Sequence, residues 1–507
     1  MQLLIALVLG VISAFAFQPV GFWPLMPLAF AGLFELIARA PTLSRSMLIG
    51  WLFAVGQFAV GLNWIATAFT YQAKMPAWLG WVAVVGLSFY LAAFLMMGVG
   101  VAWRYGRNRP LALVLALTGG WVITDWLRGT MFTGFAWNPV GVTLVDSQLL
   151  GASRWIGTYG LSALTVLSGG ALWLVWRRGF KAAAGIAASV LAFVFVPAPA
   201  IQPRVTPLPI RIVQPNIGQE DKWREGLADE AFVRLEGLSA ARSGARSSSP
   251  SLLFWPEVAV PEPFQILDPD RQPLALAAPL PTIPRAIESI RAGDLLLTGG
   301  FALIADRNGQ VIGNTNSVFA IDRDGTVLGR YDKAHLVPYG EYLPMRPLLS
   351  AIGLSQLAPG QGDTSYGPGP RTIDLGGFGK MGLQICYEII FSGDVVDDRD
   401  RPDFIFNPSN DAWFGAWGPP QHLAQARLRA AEEGLPVIRS TPTGISAVVD
   451  AHGRLLNSLA WRTAGTIDTV LPAPLEPTIF SRFGNVIPLG LAFLLLFSAI
   501  ALRRSRR

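Results

Sequence analysis

The sequence predicts a membrane protein with eight transmembrane helices and a separate extracytoplasmic domain of mixed α/β structure. Three observations predict this fold class. Hydrophobic residues make up 51% of the 507-residue chain and charged residues only 15%, against roughly 25% charged residues in soluble globular proteins. The apolar residues concentrate in 1–200 and 486–502, whereas residues 200–483 have ordinary polar content. Lysine and arginine are concentrated in every second loop between the apolar stretches.

Eight apolar stretches have about the length of a membrane span, since a helix needs roughly 20 apolar residues to cross a bilayer core. Residues 1–17 could instead be a signal peptide, because residues 14–16 loosely resemble a cleavage site. However, the stretch lacks a basic n-region and further spans follow at once. We interpret it as the first of eight spans, which are followed by spans at 22–38, 47–69, 78–103, 110–127, 158–176, 182–198 and 486–502.

The basic residues of the loops predict the orientation of the spans. They follow spans two, four, six and eight, whereas the loops after spans one and three hold one lysine between them. Cytoplasmic loops carry the excess of Lys and Arg, so both termini are predicted to be cytoplasmic. The chain then divides into a transmembrane part at 1–200, an extracytoplasmic domain at 205–483, and a C-terminal helix with a basic tail at 484–507.

Strands alternate with helices in the extracytoplasmic segment. Helices are predicted at 230–241 and 421–433, and the turns at 322–325 and 450–453 predict two β-hairpins. Alternating strands and helices favour a mixed α/β domain over a sandwich of strands alone. The remaining strands are predicted at 210–214, 251–255, 295–298, 382–386 and 404–406.

Two polar features of the membrane part leave their role open. Asp125 and Arg128 lie one helical turn apart at the outer end of span five. Ionisable residues at membrane depth are often functional, but a local ion pair at the interface is the simpler interpretation. Residues 129–157 are rich in aromatic residues and glycine and are predicted to lie along the outer surface of the membrane.

Composition argues against two further kinds of protein. A single cysteine, Cys386, excludes an intramolecular disulfide framework. The net charge of +6 comes from cations beside hydrophobic spans, so it does not indicate a nucleic-acid partner.

Three strands of the outer domain end close to side chains that together suit acyl transfer, namely Glu257, Lys333 and Cys386. A thiol with a pKa of about 8.5 needs a base or a cation to become a nucleophile at neutral pH. A carboxylate can take its proton, and an ammonium can stabilise the thiolate and the oxyanion of the attacked carbonyl. Taken singly, the glutamate could cap a helix, the lysine could be a solvated turn residue, and the cysteine could pack in the core.

The sequence around these residues resembles the nitrilase superfamily. Similar signatures, with Glu, Lys, Cys and a supporting Glu, occur at 255–257 (WPE), 331–336 (YDKAHL), 385–388 (ICYE) and 339–344 (YGEYLP). Within that superfamily the chain resembles the membrane-embedded apolipoprotein N-acyltransferase family over essentially its whole length. That closer resemblance rests on the spans and on residues 213–217 (VQPNI), 333–338 (KAHLVP) and 409–415 (SNDAWFG).

The resemblance implies an αββα sandwich for the outer domain and a two-step acyl transfer. Cys386 would take an acyl chain from a phospholipid as a thioester, and the α-amine of a diacylglyceryl-cysteine lipoprotein would then receive it. Glu257 would be the base and Lys333 would bind the oxyanion, oriented by Glu341. The other implied site residues are the supporting Tyr387 and Glu388, and the substrate-binding Trp223, Asn410 and Trp413.

The same resemblance implies a monomer in the bacterial inner membrane with a periplasmic catalytic domain, working on the lipid bilayer without cofactor or metal. Both substrates would be lipids, so apolar loops beside the site are expected to act as lids. Two such stretches are 261–284 and 343–359, and an aromatic loop at 413–417 adds a third. Ordinary packing of these loops on the domain core is the alternative.

Two other functions fit the sequence less well. A membrane-tethered amidase or nitrilase would use the same three residues on a small soluble compound, with water as the acceptor, but would not need eight spans. A transporter or scaffold with an inactive outer domain would not need Glu257, Lys333 and Cys386, and the spans hold few polar residues for a substrate path.

Overall fold

The computed structural model describes residues 1–71, 76–202, 207–218, 226–240, 250–275, 280–351 and 363–504. The chain begins with helices, continues into two β-sheets with flanking helices, and ends in a helix. Its α-helices are α1 (Gln2–Ala14), α2 (Leu25–Ala38), α3 (Leu43–Gly61), α4 (Ile65–Ala68), α5 (Leu79–Gly106), α6 (Pro110–Thr130), α7 (Ser153–Trp176), α8 (Phe180–Ala192), α9 (Leu227–Ala240), α10 (Thr282–Ile287), α11 (Arg346–Ala351), α12 (Gly418–Glu433), α13 (Ile479–Phe483) and α14 (Val486–Arg504).

Among the described residues, five helical segments are long and apolar enough to cross a membrane: Leu43–Gly61, Leu79–Gly106, Pro110–Thr130, Gln148–Trp176 and Val486–Arg503. Three shorter apolar helices, Gln2–Ala14, Leu25–Ala38 and Phe180–Phe195, lie at the other predicted spans. A membrane protein is therefore confirmed, and the count of eight spans stays a prediction. Aromatic side chains fill the contact between the helices, as where Trp121 meets Phe30 edge-on at 4.8 Å between ring centroids.

The segment between α6 and α7 differs from the prediction. Residues 129–157 were expected to lie along the outer surface of the membrane, but residues 136–145 are all buried within the protein. They form a 3-10 helix, Val140–Asp146, which packs against α7 and α12. The buried Arg128 explains the fold of this segment, because its guanidinium pairs with Asp125 at 2.7 Å and donates to the carbonyls of Phe135 and Trp137.

The outer domain contains two β-sheets, each with a parallel centre. The first has the order β13-β1-β2-β4-β5-β6, with β3 beside β4, and the second has the order β12-β11-β10-β9-β8-β7. Strands β1, β2 and β4 are parallel, as are β8, β9 and β10. The strands are β1 (Pro209–Gln214), β2 (Leu252–Phe254), β3 (Pro263–Leu267), β4 (Leu295–Ala305), β5 (Val311–Ile321), β6 (Val327–Asp332), β7 (Thr372–Asp374), β8 (Lys380–Leu383), β9 (Phe404–Pro408), β10 (Val437–Ser440), β11 (Ala447–Val449), β12 (Leu455–Ser458) and β13 (Gly465–Val470).

The two sheets pack face to face between layers of helices, which is the αββα arrangement. Successive side chains of a strand point to opposite faces, so Leu252 and Phe254 enter the core between the sheets while Leu253 faces α9 and α10. Phe254 meets Phe406 of the second sheet at 4.9 Å between ring centroids. Helix α12 covers the outer face of the second sheet and shares one apolar core with the membrane helices.

A buried polar joint fixes α12 to the membrane part. Glu432 accepts hydrogen bonds from Thr158 Oγ1 at 2.7 Å and Ser392 Oγ at 2.9 Å, and pairs with Arg429 at 2.7 Å. The joint forms where α7 is interrupted at Gly157, whose φ of 63° frees the amide of Thr158 for the same carboxylate. A side chain at residue 157 would collide with the ring of Phe480. The outer domain is thus fixed to the membrane helices through buried charges.

Candidate active site

Lys333 and two glutamates form a buried charged cluster at the edge of the first sheet. Lys333 follows β6 directly, and its ammonium lies 2.9 Å from Glu341 Oε1 and 3.5 Å from Glu257 Oε1. Glu341 is held in turn by the amide of Val337, which donates to its Oε2 at 2.8 Å. Burial alone would lower the pKa of Lys333, but Glu341 and Glu257 outweigh burial and raise it. Lys333 therefore stays charged well above neutral pH.

Glu257 has one oxygen engaged and one oxygen without a hydrogen-bond partner. Asn316, in β5, donates to Glu257 Oε1 at 2.7 Å and to Glu341 Oε1 at 3.1 Å. Glu257 Oε2 is buried and has no hydrogen-bond partner in the described part of the chain. The backbone comes very close here, since a Cβ on Gly299 would lie 2.6 Å from the Cα of Glu257. The free oxygen can accept a proton while the other fixes the side chain.

The sequence predicts a strand at 382–386 that ends at Cys386. In the structure, Cys386 lies instead on a sharp turn beyond the end of the strand. Strand β8 ends at Leu383, and a short 3-10 helix begins at Cys386. Cys386 has a φ of +52°, in the left-handed region that non-glycine residues rarely adopt and that recurs at active sites. This turn directs the thiol away from the strand.

The thiol of Cys386 is protonated in the resting site. Burial and the charge of Glu257 raise its pKa well above the usual value, while Lys333 and the backbone N–H of Asn410 act in the opposite direction. A thiolate would add a third negative charge beside Glu257 and Glu341. Moving the proton from the thiol to Glu257 would avoid that third charge, because the total charge of the cluster stays unchanged.

Glu388 ties the segment of Cys386 to the segment of Lys333. Its Oε1 accepts from the amides of Ala334 at 2.7 Å and His335 at 3.0 Å, and from the hydroxyl of Tyr331 at 2.9 Å. Its Oε2 accepts from the amide of Ile385 at 2.6 Å. One carboxylate thus fixes the backbone on both sides of the site, and its side chain is buried.

The loop after α6 reaches into the neighbourhood of the thiol from the membrane part. Tyr387, next to Cys386, donates its hydroxyl to the carbonyl of Gly134 at 3.3 Å and lies 6.3 Å from the ring of Phe135. Thr133, in the same loop, lies beside His335 and Tyr342. The site is therefore assembled from both parts of the chain.

The three residues predicted to bind substrate have different positions. Trp223 lies outside the described residues. Asn410 is buried, and its side chain accepts from the amide of Ala412 at 3.2 Å. It faces the thiol of Cys386 with its backbone N–H and not with its side chain. Trp413 meets Tyr71 edge-on at 6.1 Å between ring centroids, at the contact with the membrane part.

The predicted lids are only partly exposed apolar loops. Within 261–284, the prediction of an exposed apolar lid is wrong for the strand β3, because its Phe264 and Leu267 are buried beside β4. In 343–359 the side chains of Met345 and Leu348 are 66% and 60% exposed, and residues 352–359 lie outside the described residues. In the aromatic loop, Phe414 packs on Trp64 at 4.4 Å between ring centroids. Trp417 packs on Phe15, so that loop is docked on the membrane helices.

Sequence reasoning missed two sets of polar residues around the site. Asn316 was missed, although the polar run 314–317 within the strand β5 signals a buried polar role. The second set is His422, Asp411 and Arg439, all fully buried behind Cys386. A histidine in the apolar helical stretch 421–431 and an arginine in the apolar strand 437–440 give a similar signal, but only the fold shows what they contact.

The chain matches two protein-family models, which divide it as the fold does. Residues 9–171 match the apolipoprotein N-acyltransferase N-terminal domain, and residues 210–475 match carbon-nitrogen hydrolase. The apolipoprotein N-acyltransferase of Rhodopseudomonas palustris is 35% identical, covering 99% of this chain and 95% of the relative. That of Rhizobium meliloti is 37% identical over 85% of this chain and 80% of the relative. A solved nitrilase-superfamily protein of Saccharomyces cerevisiae aligns with 54% of this chain and 93% of its own, at 19% identity and a TM-score of 0.39.

Proposed function

The chain belongs to the apolipoprotein N-acyltransferase family, and on that premise we propose that it moves a fatty acyl chain from a phospholipid to the α-amine of a lipoprotein's diacylglyceryl-cysteine, through a thioester on Cys386. The observation that carries the chemistry is the free Oε2 of Glu257 in a cluster with the charged Lys333. The observation that carries the lipid substrates is the docking of the outer domain on apolar helices.

In the first step the sulfur of Cys386 attacks the ester carbonyl carbon of the phospholipid while Glu257 takes the thiol proton. The carbonyl oxygen becomes an oxyanion, which the ammonium of Lys333 stabilises. When the tetrahedral intermediate collapses, the C–O bond breaks and the glycerol oxygen leaves with the proton from Glu257. The products are a lysophospholipid and the acyl thioester.

In the second step the α-amine of the lipoprotein attacks the thioester carbonyl. Glu257 accepts one proton from the amine, Lys333 again faces the oxyanion, and the C–S bond breaks. The sulfur recovers its proton and the lipoprotein carries a new amide. Glu341 and Asn316 hold Lys333 and Glu257 in place through both steps, and Glu388 and Tyr387 hold the turn that carries the thiol.

Intact-mass measurement tests the proposal. Incubation with phospholipid vesicles alone should add one fatty acyl group to the protein, removable by hydroxylamine as expected for a thioester. A diacylglyceryl peptide with a free α-amine should then remove the group and become N-acylated. If vesicles add no mass and a small amide is hydrolysed instead, the amidase alternative is correct.

The orientation of the chain is part of the proposal, with the enzyme in the bacterial inner membrane, both termini cytoplasmic and the catalytic domain periplasmic. The basic loops support it. Reporters fused after Arg507, or inserted at 177–181, should read as cytoplasmic. A reporter at residue 246, which lies outside the described residues, should read as periplasmic. A cytoplasmic reading at 246 would overturn this orientation.

A further inference from the structure

A fully buried histidine lies directly behind the nucleophile. His422, in α12, has its Nε2 3.0 Å from the carbonyl oxygen of Cys386. A carbonyl oxygen can only accept, so Nε2 carries the hydrogen and donates it. The contact fixes the carbonyl of the very residue whose φ of +52° turns the thiol out of the strand direction.

Two charged partners fix the other side of the imidazole ring. His422 Nδ1 lies 2.9 Å from Asp411 Oδ1 and 3.0 Å from Arg439 Nη2. Arg439 Nη2 donates to both oxygens of Asp411, at 2.8 and 2.7 Å. Arg439 can only donate and the carboxylate of Asp411 can only accept, so Nδ1 lies between a donor and an acceptor, and Nε2 carries its hydrogen whether or not Nδ1 is protonated. Burial and the charge of Arg439 lower the pKa of His422, against the opposing effect of Asp411.

The same network holds the thiol from a second direction. Asp411 follows Asn410, whose backbone N–H points to the sulfur of Cys386. Arg439 also donates to Ser409 Oγ at 2.8 Å and to Asn407, so it fixes the whole chain from 407 to 411. The carbonyl of Cys386 and the amide that faces its sulfur are thus held by one connected set of side chains.

Gln421, the residue before His422 in α12, fixes this helix to the membrane part. Gln421 Oε1 accepts from Trp137 Nε1 at 2.8 Å and from Asn138 at 2.9 Å, and its Nε2 donates to the carbonyl of Gly61 at 3.1 Å. The position of His422 therefore depends on the contact between the outer domain and the membrane helices.

We propose that His422, held by Asp411 and Arg439, is a positioning residue that fixes the backbone of Cys386 and thereby aims its thiol. None of the three side chains is exposed, so they act through Cys386 and not on substrate. The expected effect on acyl transfer rests on the function proposed above. The expected effect on the reactivity of the thiol toward an alkylating reagent does not.

Two substitutions of His422 distinguish the hydrogen bond made by Nε2 from the contacts made by Nδ1. In His422→Gln the amide nitrogen reaches about as far as Nε2 and can still donate to the carbonyl of Cys386. In His422→Asn the shorter amide stays on the side of Asp411 and Arg439, and the donor to Cys386 is lost. We expect His422→Asn to slow alkylation of Cys386 by iodoacetamide about ten- to a hundredfold, and thioester formation by the same factor, while His422→Gln keeps most of both rates.

A matched control lies one turn along the same helix. Gln425 is buried, and neither polar atom of its side chain has a hydrogen-bond partner within the described ranges. Gln425→Leu should leave both rates unchanged. Equal losses in His422→Asn and His422→Gln, or no loss in either, would overturn the proposal. If unmodified protein forms no acyl thioester but the alkylation rates follow the expected order, the proposed function fails and the positioning role stands.

A measurement on the unmodified protein covers the case in which the variants do not fold. The sequence has three histidines, His335, His422 and His452, so ¹⁵N-histidine NMR resolves the ring of His422 in lipid nanodiscs. We expect Nε2 of His422 to carry a hydrogen throughout the range from pH 6 to 8. A hydrogen on Nδ1 with a bare Nε2 would exclude the hydrogen bond to Cys386 and contradict the proposal.

Discussion

Replacing Cys386 with Ala or Ser should abolish acyl transfer while leaving a folded protein in the membrane. Loss of the nucleophile from a covalent acyl-transfer site costs on the order of a millionfold in rate. The sequence has no second cysteine to take over. Serine keeps the shape of the side chain, but its hydroxyl is a far weaker acid than a thiol, and the buried site already raises the pKa of the thiol it replaces.

Three readouts check this prediction. Neither variant should gain a fatty acyl group on vesicles or produce N-acylated peptide, and the midpoint of thermal unfolding should stay close to that of the unmodified protein. Glu388 keeps its four hydrogen bonds to the surrounding backbone and to Tyr331 in both variants, so the turn should persist. N-acylated peptide made by Cys386→Ala at an appreciable rate would rule out a thioester on this residue.

The sequence predicted those parts of the fold that depend on local patterns. Short apolar runs located β1, β2 and β9 to within two residues, because strands buried on both faces of a parallel sheet are almost continuously apolar. The clearest helix, predicted at 421–433, is α12, which begins three residues earlier at Gly418. Hydropathy located each apolar helix but overestimated α1 and α8, which have 13 residues each.

Long-range contacts set the features that the sequence did not predict. The strand predicted at 382–386 ends at Leu383 because Glu388 withdraws the amide of Ile385 from the sheet. Residues 136–145 are buried because Arg128, at the end of the preceding helix, binds the carbonyl of Trp137, while the distant Gln421 binds the indole of Trp137. The grouping of Glu257 with Lys333 was expected from the chemistry of the strand ends, and Glu341 from resemblance alone. Asn316, which joins the two carboxylates, was not expected at all.

Lys333→Ala should slow both thioester formation and transfer from a preformed thioester. Removing one donor to an oxyanion costs about 3–4 kcal/mol, or roughly a hundred- to a thousandfold in rate. The change also leaves Glu257 and Glu341, which share Asn316, without their cation, so stability must be measured beside the rate. Lys333→Arg keeps the charge but should not restore full activity, because a planar guanidinium presents its donors differently from a compact ammonium.

Glu257→Gln should differ from Lys333→Ala in its response to pH. The amide keeps an oxygen that can accept from Asn316 and Lys333, at the positions now 2.7 and 3.5 Å away, but it cannot take a proton. It also removes a negative charge that raises the pKa of Cys386. Raising the pH should therefore ionise the thiol directly and restore part of the acylation rate. Lys333 should remain charged meanwhile, because Glu341 still lies at 2.9 Å and raises its pKa.

Lys333→Ala should show no such recovery, because what it lacks is positive charge at the carbonyl oxygen, and losing Lys333 also raises the pKa of the thiol further. Single-turnover acylation on phospholipid vesicles, followed from pH 6 to pH 10 for both variants, measures the difference. The rate of Glu257→Gln should climb with pH toward that of the unmodified protein, while that of Lys333→Ala stays low throughout. If alkaline pH rescues both variants equally, or neither, then Glu257 is not the base and Lys333 is not the oxyanion's partner.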